Sequence, residues 1–96
     1  MRLQLGPEAA AELEEATAWY LERGWDLADR FVSEVERTMG LVVENPHAWT
    51  ELESGIRRAL LRGFPYSLIY SIEPGTIFVL AVMHQKRRPG YWRHRR

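Results

Sequence analysis

The chain opens on a short alternation, Arg2-Leu3-Gln4-Leu5, that puts Leu3 and Leu5 on one side, the pattern of a strand. Gly6-Pro7 ends it, and proline suits a first helical turn because its missing N–H would be unpaired there anyway. Ala9, Leu13, Ala16 and Tyr20 then recur at i, i+4, i+7 and i+11, one face of a helix whose small alanines admit a close neighbour. Glu8, Glu12, Glu14 and Glu15 place negative charge towards the N-terminus, where the helix dipole favours it. The acidic face of Glu8, Glu12, Glu15 and Glu22 reads most simply as solvated, with pairing to basic groups of the C-terminal half as the other option. Arg23-Gly24 predicts the end of the helix. Asp26 predicts the N-cap of a second helix. Its apolar stripe is Ala28, Phe31, Val32, Val35, Met39 and Val42, and Asn45-Pro46 stops it, since a residue before proline avoids helical dihedrals. Two helices of similar length with almost nothing between them predict an antiparallel hairpin over residues 7–45.

Residues 47–55 read as a polar loop anchored by Trp49 and Leu52. Strand signals follow at 56–61, 66–72 and 77–83, separated by Gly63-Phe64-Pro65 and by the tight-turn sequence Glu73-Pro74-Gly75-Thr76. Residues 77–83 are apolar at nearly every position, as expected of a strand covered on both faces. The expectation is an α+β fold of order β-α-α-β-β-β, a helical hairpin packed on a small, mainly antiparallel sheet. One domain spans residues 1–96: a strand at 1–5, the hairpin at 7–45, a three-stranded meander at 56–84 and a basic tail at 85–96.

Composition narrows the class. At 96 residues, with 46% hydrophobic and 27% charged positions, the chain has the balance of a single globular domain. It has no cysteine, hence no disulfide framework, and its three histidines are too scattered for a helical metal pair. No apolar run is long enough to cross a membrane, and Met1 to Leu5 lacks the pattern of a secretory signal. The expectation is a cytoplasmic protein with no cofactor, no metal and no membrane partner. The net charge of zero conceals an asymmetry. Residues 1–53 carry twelve carboxylates against four arginines, a net of −8, and residues 54–96 carry nine bases against Glu73 alone, a net of +8. The basic half offers a surface to an acidic partner, or the two halves neutralise one another within the fold.

The chain resembles the RelE/ParE superfamily of toxins from type II toxin–antitoxin modules, on the ParE side. The matching residues are Pro7-Glu8-Ala9, Trp19-Tyr20, Ala28, Phe31, Glu34, Val35, Asn45-Pro46, Ile56-Arg57-Arg58, the run Phe64 to Tyr70, and the run His84 to Trp92. The likeness extends over essentially the whole length. It implies a small plasmid-stabilisation-type toxin silenced by a cognate, ParD-like antitoxin, whose flexible C-terminal segment folds onto the toxin and whose N-terminal part binds operator DNA. Acids on such a segment would suit Arg57, Arg58, Arg62 and Arg87, the expected antitoxin contacts.

The superfamily divides by target. RelE-like members cleave ribosome-bound mRNA, and ParE-like members poison DNA gyrase by binding. RNA cleavage needs a base, cations for the phosphate and an acid for the leaving oxygen. RelE-like toxins carry an arginine at the position of Ser67, and a serine there supplies no charge to a transition state, which argues against nuclease chemistry. The nuclease alternative would use Arg57, Arg62, His84, Arg87 and Tyr91. For gyrase no catalytic group is required, only a surface of exposed aromatics flanked by arginines. Trp25, Arg87, Arg88, Tyr91, Trp92, Arg93 and Arg95 are the expected target contacts. Trp19 and Trp49 read as packing under the loop, and Trp92 has docking of the tail onto the sheet as its other reading. The expected function is gyrase inhibition under antitoxin control. The alternatives are an mRNA endonuclease and a non-toxic, antitoxin-bound co-repressor.

Overall fold

The computed structural model describes residues 1–95. In chain order it has β1 (Arg2–Leu5), α1 (Pro7–Leu21), α2 (Trp25–Glu44), a 3-10 turn (Pro46–Ala48), β2 (Thr50–Glu53), β3 (Ile56–Leu60), β4 (Tyr66–Glu73), β5 (Thr76–His84) and a second 3-10 turn (Arg93–Arg95). The strands form one sheet in the order β1-β5-β4-β3-β2, antiparallel except where β1 runs parallel to β5. The α+β class and the hairpin on a mainly antiparallel sheet are as the pattern predicts. The sheet has one strand more. Thr50-Glu51-Leu52-Glu53 pairs with β3 inside the stretch read as loop. All four of its side chains are exposed and its register shifts between Glu51 and Glu53, so no hydrophobic alternation marks it. Leu52 is therefore not an anchor, whereas Trp49 is half-buried against the core.

The helix boundaries differ from the sequence signals for backbone reasons. α1 ends at Leu21, ahead of Arg23-Gly24. The N-cap of α2 is Gly24, at φ 153°, and not Asp26. Glycine takes that dihedral without the Cβ clash other residues meet, and Asp26 sits inside the first turn, where its charge still complements the dipole. At the other end of the hairpin Gly6 has a steric role. Its N–H donates to the Val79 carbonyl at 2.9 Å, and a Cβ there would lie 2.7 Å from Phe78 Cζ.

Two apolar layers sandwich the sheet. On the hairpin side Ala9, Ala16, Tyr20, Phe31, Val35 and Val42 pack on Leu68, Tyr70, Ile77, Val79 and Val82. The rings of Tyr20, Phe31, Phe64 and Tyr66 close one end of this layer, with Tyr20–Phe31 centroids 4.8 Å apart. On the opposite face Ile56, Ile69, Leu80, Ala81 and Trp92 form a second cluster. A register shift in the β4–β5 ladder leaves Leu80 as an extra residue, so Leu80 and Ala81 both face this second layer before Val82 returns to the first. That is why residues 77–83 read as apolar throughout. The cover on the far face is the C-terminal segment, residues 85–95, which folds back until Trp92 is 3% exposed. Arg96, counted among the bases, lies outside the described residues. Among the described residues no helix is long and apolar enough to cross a membrane.

Candidate functional site

β1 stops at Leu5, opposite Val79, so beyond that point β5 has no strand neighbour on its outer side. α1 runs past this open edge, and Glu12 reaches it. Its carboxylate accepts from the Val82 N–H at 3.0 Å, the Tyr91 hydroxyl at 2.7 Å, and Arg95 Nη1 and Nη2 at 2.8 and 3.1 Å. Arg95 Nη1 also donates to the Leu80 carbonyl at 3.2 Å. The Arg95 and Glu12 side chains are only 9% and 17% exposed, so this two-point pairing works in a partly desolvated place. Glu12 raises the pKa of Arg95 further. Tyr91 is pushed well above the ordinary tyrosine value, first by burial and then by its hydrogen bond to Glu12. The Tyr91 ring is flanked by two guanidiniums, Arg87 at 4.1 Å and Arg95 at 4.7 Å from its centroid.

Above this hub lies a cleft of about 380 Å³ between α1 and the β4–β5 end of the sheet. Trp19, Tyr20 and Ala16 form one wall, Pro65 and Tyr66 the end, and Val82, His84, Arg87 and Tyr91 the other wall, with Glu12 and Glu15 opposite. His84 Nδ1 accepts the Lys86 N–H at 3.1 Å, which leaves Nε2 to carry the proton of the neutral ring. Its ring meets Tyr66 edge-on at 5.0 Å. Burial raises the pKa of Tyr66 as well. The chemistry is that of an aromatic trough with, among the described residues, one exposed arginine, Arg87, at its rim. Such a trough suits an amphipathic peptide better than a phosphate, which would meet two carboxylates.

Of the residues expected for nuclease work, His84, Arg87 and Tyr91 share this cleft, and Arg57 and Arg62 do not line it. Arg57 lies on β3, across the sheet, where Nη1 donates to the carbonyls of His47 and Trp49 at 3.1 and 2.7 Å. Tyr70 pins the same loop through Pro46 at 2.6 Å, and burial pushes its pKa up to about 12. Arg62 is exposed beyond β3, and its backbone N–H donates to Glu34 at 2.6 Å. Arg58 is half-buried, and its Nε has no hydrogen-bond partner. Ser67, 4% exposed, sits opposite Met83 on the far side of the sheet.

Of the expected target contacts, Trp25 is 75% exposed, and Arg87, Arg88 and Arg93 are exposed too. Arg93 pairs with Glu53 at 2.8 Å. Trp92 is buried in the second layer, Arg95 is closed on Glu12, and Tyr91 is half-buried. Trp19, read as packing under the loop, is instead half-exposed, with the Arg23 guanidinium 3.3 Å from its ring centroid. Glu12 is absent from the expected site residues, and of the two readings of its acidic face the structure bears out pairing with a base of the C-terminal half. The signal was its spacing: three residues after Ala9 and four before Ala16, it borders the buried stripe. The Arg95–Glu12 and Arg93–Glu53 pairs also show the two oppositely charged halves neutralising one another in part.

Comparison with known proteins agrees with this architecture. Residues 3–89 match the family model described as the ParE toxin of the type II toxin–antitoxin system, parDE. Among solved structures the chain is similar to one titled as a chromosomal ParDE TA system from P. aeruginosa. The two share 23% identity with a TM-score of 0.76, over 88% of this chain and 95% of that one. A search of curated proteins found no match. With the family model covering nearly the whole length, the chain belongs to the ParE toxin family of type II toxin–antitoxin systems.

Proposed function

We propose that this chain arrests growth by binding DNA gyrase in the cytoplasm, and that a cognate, ParD-like antitoxin silences it by seating a C-terminal segment in the cleft between α1 and the sheet. The observation that carries the reading is the division of the cationic side chains. Arg57 is spent on the loop carbonyls of His47 and Trp49, Arg95 is spent on Glu12, and among the described residues Arg87, its guanidinium over the Tyr91 ring, is the one arginine that lines the cleft. A phosphoryl transition state needs several converging donors, whereas a docking surface needs exposed aromatics and cations. Trp25 with Trp19 at the hairpin tip, and Arg87 with Arg88 after β5, supply the latter. For the antitoxin, the trough of Trp19, Tyr20 and Tyr66 accepts an apolar anchor while Arg87 accepts an acid. Arg58 and Arg62, on and just after β3, do not line the cleft, so contact with them needs an antitoxin segment that runs beyond it. Operator DNA is then reached through the antitoxin.

One observation favours a second reading, mRNA cleavage: His84, Arg87 and Tyr91 do share the cleft. Their chemistry is muted, because Tyr91 donates to Glu12 and is held protonated. The test of the proposal is induction of the chain alone and beside the product of the neighbouring short reading frame. Growth should stop in the first case and continue in the second. Full growth in both would instead fit an antitoxin-bound co-repressor without toxicity.

A further inference from the structure

Glu12 belongs to two structures at once. It lines the cleft, and it anchors the C-terminal segment. That segment leaves β5 after His84, crosses the far face of the sheet where Trp92 is buried, and returns to the β5 edge so that Arg95 closes on Glu12. Tyr91 has the same double membership, as cleft wall and as a donor to Glu12. The fourth donor, the Val82 N–H, ties the carboxylate to β5 itself. Arg95 does not line the cleft and touches it only through Glu12 and Tyr91.

We propose that Glu12 is a positioning residue that couples the shape and occupancy of the cleft to the docking of the basic C-terminal segment. The carboxylate has few ways to move. Withdrawing it from Arg95 strands a guanidinium that is 9% exposed, and turning it towards a cleft ligand unfastens Tyr91 and Arg95 together. Linkage makes the effect mutual: whatever fills the cleft against Glu12 alters how residues 85–95 lie, and a change in their docking alters affinity at the cleft. Arg87 and Arg88, at the root of the segment, then present their charge in an arrangement set from the cleft. This regulation rests on the cleft as the antitoxin's seat, but the coupling is a property of the free chain and is tested there.

The experiment uses the full chain, isotopically labelled, as wild type, Glu12→Gln, Arg95→Met and Arg95→Lys. Segment docking is read by the rate of tryptic cleavage after Arg93, and the cleft by Val82 amide exchange and the His84 and Trp19 ring resonances. Glu12→Gln and Arg95→Met are expected to raise both cleavage and Val82 exchange about ten-fold or more and to shift the His84 and Trp19 signals. Arg95→Lys keeps the charge but loses the fork, and should fall between on both readouts. Faster cleavage in an Arg95 variant with Val82, His84 and Trp19 as in wild type would overturn the coupling. So would wild-type behaviour on every readout, which would leave Trp92 and the Arg93–Glu53 pair to fasten the segment. Should Arg95→Met not fold, Arg95→Lys carries the same comparison. No gyrase and no antitoxin enter the measurement, so its failure is separate from failure of the toxin reading.

Discussion

Glu12 and Arg95, 83 residues apart in the chain, meet at 2.8 and 3.1 Å on the open edge of β5. Removing one partner leaves the other charged and partly desolvated, so Glu12→Ala or Arg95→Ala should cost about 1–3 kcal/mol of stability. Replacing both by leucine removes the stranded charge, and the double variant should lose clearly less than the sum of the singles. Urea unfolding of the four proteins measures that coupling directly.

Acid should weaken the fold through Glu34. Its pKa is lowered from 4.5 to about 2, chiefly by the two-point hydrogen bond from Arg37 and further by the Arg62 N–H, against an opposing effect of burial. A carboxylate whose folded pKa is depressed contributes stability above its unfolded value and loses it as pH falls towards the folded one. The urea midpoint should therefore drop between pH 4.5 and about 2, and Glu34→Gln should flatten that drop.

Alkali acts in the opposite sense on the tyrosines. Burial raises Tyr70 to about 12, and burial with the Glu12 hydrogen bond raises Tyr91 further. Groups with raised folded pKa values stabilise the fold below their unfolded value near 10 and lose that contribution as pH climbs past it. Spectrophotometric titration should show Tyr70 and Tyr91 ionising only with alkaline unfolding. Tyr91→Phe should remove one delayed ionisation and leave a carboxylate oxygen of Glu12 with one donor fewer.

Gly6→Ala tests the junction of β1 and α1. The added methyl would approach Phe78 Cζ at 2.7 Å and the Val79 carbonyl at 3.1 Å, so part of the second layer must shift. A loss of about 1–3 kcal/mol in urea unfolding is expected, with the fold retained.

Elements that bury one continuous face were legible in the residues. The stripes Ala9–Tyr20 and Ala28–Val42 state their helices, and the alternation of 66–72 states its strand. β2 was not, because Thr50 to Glu53 buries no side chain and pairs through backbone alone. Gly24 displaced Asp26 as the cap because backbone dihedrals, not side-chain propensity, set that junction. In the site, His84, Arg87 and Tyr91 were in view as a group near the chain's end. Glu12 was in view only as part of a face that could pair with basic groups of the C-terminal half, since which arginine meets it, 83 residues away, is set by the fold. Trp92 does dock the tail onto the sheet, one of its two readings, whereas the same distance hid Arg95 as a structural residue, for local pattern records a charge but not the carboxylate that receives it.

The central claim is that the protein works by engaging gyrase and breaks no bond itself. Purified chain, DNA gyrase and supercoiled plasmid, run beside ribosomes translating a defined mRNA, decide it. The account predicts trapped, gyrase-cleaved plasmid that diminishes with Trp25→Ala and Arg88→Ala, and an intact message. Cuts in the mRNA with undisturbed gyrase activity would contradict it.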